Sequence, residues 1–99
     1  MTKPRRPTVW ITSTDPAKNF DDASRFGTVR ILDMSDKNHA AAGAILQQEF
    51  EQDDYIIFVG HPVRIAVCGQ AVFNLFPTIN VLIWDRKRMS YFSQLQEGI

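Results

Sequence analysis

Asp54-Tyr55-Ile56-Ile57-Phe58-Val59-Gly60-His61-Pro62, followed by the apolar run Val63 to Phe76, then Pro77 and Ile79-Asn80-Val81-Leu82-Ile83-Trp84, is the stretch that decides the fold. Tyr55 to Val59 is an unbroken apolar segment ending at a glycine. A strand buried on both faces looks like this, and such strands belong to parallel sheets. His61-Pro62 opens a helix, since proline suits the first helical turn. The helix is apolar almost all round, interrupted chiefly by Arg64, Gln70 and Asn74, and Pro77 stops it. Ile79 to Trp84 is a further buried strand. Strand, tight loop, helix and strand within about thirty residues make a βαβ unit, whose crossover is right-handed.

Working outward from that unit, Ser35-Asp36 supplies a helix N-cap, and the helix runs to about Gln52 with Ala42, Ile45, Leu46 and Phe50 on one stripe. Gly43 weakens it by about 1 kcal/mol relative to alanine, which close packing on the sheet would explain. Asp53-Asp54 ends it, and Glu49, Glu51, Asp53 and Asp54 read as a solvated acidic helix end. Two earlier strands are expected at Thr8 to Thr12 and Thr28 to Leu32. Between them Asp15-Pro16 marks a turn, and Asp21 to Phe26 forms a short helical turn closed by Gly27. This poor crossover leaves the second strand either parallel or antiparallel to the first. After Trp84, the basic turn Asp85-Arg86-Lys87-Arg88 sends the chain back as an antiparallel edge strand, Met89 to Phe92. The expected fold is α/β: a minimal Rossmann-like sandwich of two or three layers. About five mostly parallel strands in the order 2-1-3-4-5, the last antiparallel, carry two main helices. Residues 1–7 read as a flexible basic arm and 8–99 as a single domain.

In open α/β sheets, ligands bind at the carboxyl ends of the strands where strand order reverses. Here that crevice gathers Ser13, Thr14, Gly60, His61 and Arg64, a candidate small-anion or nucleotide site at a helix start. The plainer reading has His61 capping the helix and Arg64 in solvent. Neither G-x-G-x-x-G nor G-x-x-x-x-G-K-[ST] occurs, so no dinucleotide or P-loop site is indicated. His39 reads as a surface histidine, and no histidine or cysteine stands at metal-ligand spacing. None of the serines, and not Cys68, has a nucleophile context. No catalytic residue, cofactor or metal is expected. A second candidate surface is the hairpin tip, Trp84, Asp85, Arg86, Lys87 and Arg88 with Tyr91, where cations flanked by rings would suit a protein partner or nucleic acid.

The 99 residues are 44% hydrophobic and 22% charged, too apolar for a disordered chain. Eleven basic and eleven acidic residues cancel, against the usual excess of a polyanion binder. The zero is a sum of unlike parts, however: a basic start (Lys3, Arg5, Arg6), the acidic run at 49–54 and the basic tip at 86–88. A single cysteine excludes a disulfide framework, and Cys68 among Val67, Ala71 and Val72 reads as a small buried hydrophobe. No signal peptide or membrane-spanning run is legible.

The segments D-Y-I-I-F-V-G-H-P (54–62) and N-V-L-I-W-D-R (80–86), with Ala23-Ser24-Arg25-Phe26-Gly27 before a strand, resemble a group of small tailed-bacteriophage proteins. In that group the first motif reads roughly D-Y-[LI]-[LI]-x-[IV]-G-D-P, so His61 stands where aspartate is usual. The resemblance implies a viral origin and a place in the host cytoplasm; it carries no activity. Joined to the reading of the residues, it leads to a phage accessory protein that works by binding rather than catalysis. Such a protein would self-associate through its edge strand at 89–93 and engage a host or phage protein through loops and the hairpin tip. The alternatives are a nucleotide or small-anion binder at the strand-end crevice and a nucleic-acid binder using the basic arm and tip.

Overall fold

Three strands of this chain have neighbours on both sides, and the sheet supplies them in the expected order. The computed structural model describes residues 6–15, 18–33 and 38–98. β1 (Thr8–Ile11), β2 (Thr28–Ile31), β3 (Tyr55–Ile57), β4 (Thr78–Asp85) and β5 (Ser90–Glu97) form one sheet ordered β2-β1-β3-β4-β5. β1 pairs in parallel with both β2 and β3, β3 in parallel with β4, and β4 antiparallel with β5. Strand two is therefore parallel, which settles the alternative left open by its weak crossover.

Right-handed crossovers then dictate which face each connection covers. The β2-to-β3 and β3-to-β4 steps run in one direction along the sheet, so α1 (His39–Glu49) and α2 (Pro62–Leu75) lie together on one face. Their core with the sheet includes Trp10, Leu32, Ile56, Ile79 and Val81 against Ala42, Leu46, Phe50, Cys68 and Val72. The β1-to-β2 step runs the other way, so its short 3-10 helix, Asp21–Arg25, sits on the opposite face over Val9, Ile11, Ile57, Val59 and Leu82. That helix is too small to cover five strands. The face beyond β3 is left partly bare.

Several expectations are corrected by position. α1 starts at His39 and ends at Glu49, with Asn38 as N-cap residue; the expected cap at Ser35-Asp36 lies outside the described residues, as do Pro16 and the arm residues Lys3 and Arg5. Arg6, also read as part of that arm, donates through Nη2 to Ser24 O (2.9 Å). Gly43 packs against α2 rather than the sheet, since a Cβ there would sit 2.7 Å from Val67 Cγ1. Gly27 is required by close approach: an added Cβ would lie 2.1 Å from Pro7 O, which accepts the Thr28 N–H. β5 runs to Glu97, well beyond Phe92.

Two acidic residues of the supposed solvated helix end are otherwise engaged. Glu49 pairs with Arg30 (2.7 Å), whose guanidinium lies 4.6 Å from the Trp10 ring centroid. Asp54 is fully buried. Its Oδ1 accepts from Thr8 N, and its Oδ2 from Trp10 Nε1 and Glu51 N, all at 2.9–3.0 Å. This carboxylate joins the start of β1, the core tryptophan and the loop leading into β3. Cys68 is buried as expected, and that burial pushes its thiol up to about 11, so it stays protonated at neutral pH.

Candidate functional site

The strand-end crevice exists and brings its expected residues together, but they serve mostly to lock the fold. Gly60 follows β3 with φ +105°, and a Cβ on it would lie 2.6 Å from Ser13 Cβ. Only glycine holds that backbone cheaply while β1's exit loop presses so close. Thr12 bridges the two strand ends with one hydroxyl, which donates to Val59 O (2.6 Å) and accepts from Val59 N (2.8 Å). Thr14 donates to Asp33 Oδ1 at 3.0 Å, tying the loop after β1 to the end of β2.

His61 is the N-cap of α2, its Nδ1 accepting the Val63 N–H at 3.1 Å. Imidazole thus does the capping that aspartate would do in the G-D-P pattern. His61→Ala is expected to cost about 1 kcal/mol, and His61→Asp to retain the stability, as read by urea denaturation. Arg64, expected in solvent on the plainer reading, is only 1% exposed. Its Nε donates to His39 Nδ1 (2.9 Å), and its Nη1 to Thr12 O (3.3 Å) and Leu32 O (3.4 Å), the carbonyls just past β1 and β2. His39 is consequently no free surface histidine: it accepts from Arg64 and stacks on His61, ring centroids 5.3 Å apart.

A different feature emerges on the open face. Between the loop at 18–22, the ends of β3 and β4 and the β4–β5 hairpin lies a groove of about 840 Å³. Its floor is apolar, from Ile57, Val59, Leu82 and Tyr91; Trp84, Arg86 and Met89 form the hairpin wall, and Lys18 and Asp21 stand on the opposite lip. Half of the second sequence-predicted surface therefore lines one cavity. Trp84 packs edge-on against Tyr91, centroids 4.9 Å apart, so the two rings form one wedge rather than separate stacking platforms. Asp85 holds the turn by accepting from Lys87 N and Arg88 N, and Lys87 and Arg88 point away as exposed tip residues. Met89 is 69% exposed and held at φ 52°, a left-handed conformation that a non-glycine residue adopts at a cost.

The far wall is anchored by a pair that sequence reading did not find. Asp22 Oδ2 accepts the Tyr91 N–H (2.7 Å) while Arg25 Nη2 donates to Tyr91 O (2.6 Å), and the two side chains pair with each other at 3.0 Å. The hydrogen bond from Arg25, then that from Tyr91, hold the Asp22 carboxyl below its ordinary range. Its contribution is complete above its unfolded value of 3.8 and fades only as the pH falls through the lower folded value. Sequence offered one hint, the acidic pair Asp21-Asp22 ahead of Arg25; its target, 69 residues on, is non-local.

An ordered parallel sheet with an antiparallel last strand, two helices on one face and a switch point between β1 and β3 defines a small α/β sandwich lacking phosphate-loop motifs. The chain belongs to the Phage Pam3 gp32-like protein family, whose pattern matches residues 7–96. Neither a curated protein nor a solved structure matches it. Among the described residues, no helix is long and apolar enough to cross a membrane.

Proposed function

We propose that this phage protein acts by binding, presenting the open-face groove to an apolar segment of a host or phage protein. The observation that supports this reading is the groove itself, where Trp84 (38% exposed) and Met89 stand out as exposed apolar groups above the buried side chains of Ile57, Val59, Leu82 and Tyr91. Exposed apolar surface rimmed by charges is characteristic of interaction sites. Holding Met89 left-handed at the rim costs stability, which fits a residue kept for contact rather than for the turn.

A photo-cross-linking residue at Arg86, with a control at the exposed Gln47 of α1, tests the proposal in lysate from infected cells. A discrete adduct at position 86, absent at position 47, is expected. Met89→Gly should raise stability by about 0.5–1 kcal/mol, by relieving the backbone, while weakening that adduct. Equal labelling at 86 and 47, or an adduct indifferent to Met89→Gly and Trp84→Ala, overturns the groove as the contact surface.

The strand-end crevice supports a second reading, a small-anion binder, through the positive φ of Gly60 and the exposed His61 at the start of α2. It is the weaker of the two, because His61 already takes the Val63 N–H and Arg64 donates to strand carbonyls. A thermal-shift series with phosphate and nucleotides, unchanged from buffer, would end it.

A further inference from the structure

The free edge of the sheet has a readable hydrogen-bonding parity. Gly98 N–H donates inward to Pro77 O, whereas both main-chain polar groups of Tyr91 point outward to Asp22 and Arg25. With β5 alternating regularly against β4 from Ser90 to Glu97, the odd-numbered residues carry the outward N–H and C=O groups. At Tyr91 that outward row is closed by the Asp22–Arg25 pair, so the stretch 89–93, expected from sequence to offer the edge, is blocked in its middle. Ser93, Leu95 and Glu97 are exposed, and no described side chain caps their outward groups.

We infer that β5 pairs with β5 of a second copy in an antiparallel register centred on Leu95, joining two sheets into one of ten strands. Three open outward residues, evenly spaced, are symmetric about the middle one. A two-fold axis at Leu95 sets Leu95 opposite its twin and Ser93 opposite Glu97 of the other copy, using all three. Sliding by two residues either drives the strand into the Asp22–Arg25 cap or leaves one open residue unpaired. Leu95 is 62% exposed for a large aliphatic side chain, and the contact covers it with its twin. Charge agrees with the register: Glu97 is the sole ionisable residue from Tyr91 to Gly98 other than the tyrosine itself, and it meets a serine hydroxyl instead of another carboxylate. Edges meant to stay single carry lysine, proline or bulges, and 93–97 has none of these. The proposal extends the binding reading to a second copy and uses a different surface from the groove, so either can fail alone.

Light scattering on the full chain is expected to give twice 11.3 kDa at concentrations on the order of 100 µM, as suits a small interface. Leu95→Pro should be a monomer with its fold intact, because proline removes an outward N–H and none directed at β4. Leu95→Lys should be monomeric for its charge. Register is read by cysteines: Leu95→Cys should be captured as a dimer by a short bis-maleimide, each maleimide adding one thiol across its double bond. Ser93→Cys should not be, since its twin lies about 13 Å away along the strand; buried Cys68 stays out of the reaction. A wild-type monomer at about 1 mM, or capture of Ser93→Cys as readily as Leu95→Cys, overturns the inference.

Discussion

Asp54→Ala is expected to destabilise the protein by about 4–5 kcal/mol, close to the whole stability of a domain of this size. The carboxylate is fully buried, and removing it strands Trp10 Nε1–H in the core and takes the acceptor from the part-buried N–H groups of Thr8 and Glu51. Each buried donor left unsatisfied costs about 1–3 kcal/mol, and the lost bonds to a charged group are the stronger kind. Asp54→Asn tests the account more finely. The amide keeps the shape and one acceptor oxygen but turns an NH₂ toward at least one of those donors, so about 2–4 kcal/mol is expected. Thermal unfolding by circular dichroism reads both variants, with a Tm drop of roughly 16–40 °C for alanine at 4–8 °C per kcal/mol. Trp10 emission adds a local reporter. If Asp54→Ala lowered Tm by only a few degrees, the carboxylate would be no centre of the fold, and the start of β1 would be held by the ladder alone.

The parts of the fold legible from sequence were those at its centre. β3 and β4 have a strand on either side and α2 packs against both α1 and the sheet core, so they are written as nearly continuous apolar runs with proline and glycine at the breaks. Their boundaries fall within two residues of expectation. β5 is the contrary case: Ser93, Gln94 and Gln96 leave neither face apolar, because one edge faces solvent and much of its open face is bare. With no burial to record, alternation vanished after Phe92 and the strand was read as half its length. Charges misled in the same way. Asp54 and Arg64 look like surface residues by composition, yet each sits where several main-chain groups converge, which needs the fold to be seen.

For the candidate site, the crevice residues were found because the rule about strand ends is topological, and the topology was right. The groove was not, since it arises from the shortness of a crossover on one face and from Asp22 and Arg25 reaching Tyr91. A pattern of periods two and 3.6 carries no information on such contacts. One clue lay within reach: Trp84 and Met89 flank a four-residue turn, and large apolar groups at a hairpin tip have no core there to join. Arg64 had a clue as well. A cation in the first turn of an otherwise apolar helix must either escape to water or find acceptors, and carbonyls at strand ends are the nearest ones.

Arg64→Met decides between those two uses. Methionine keeps the length of the stem and its packing but leaves His39 Nδ1, Thr12 O and Leu32 O without their donor. Carbonyls retain other lone pairs, and two of the three bonds are long, so the expected loss is about 2–4 kcal/mol rather than the larger value for Asp54. Arg64→Lys should recover less than half of it, because a single ammonium cannot reach two strands and an imidazole at once as the planar fork does. Hydrogen exchange should quicken first around Thr12, Ser13 and Leu32, where the guanidinium clasps β1 to β2, while the amides beside Asp54 stay slow. A purely ligand-directed arginine predicts the reverse pattern: stability within about 0.5 kcal/mol of the parent and exchange unchanged, since nothing in the fold would miss it. Because the clasp spans the switch point, its loss would also loosen Gly60 against Ser13, and any affinity for anions at that crevice would fall as a consequence of the fold rather than through lost contact.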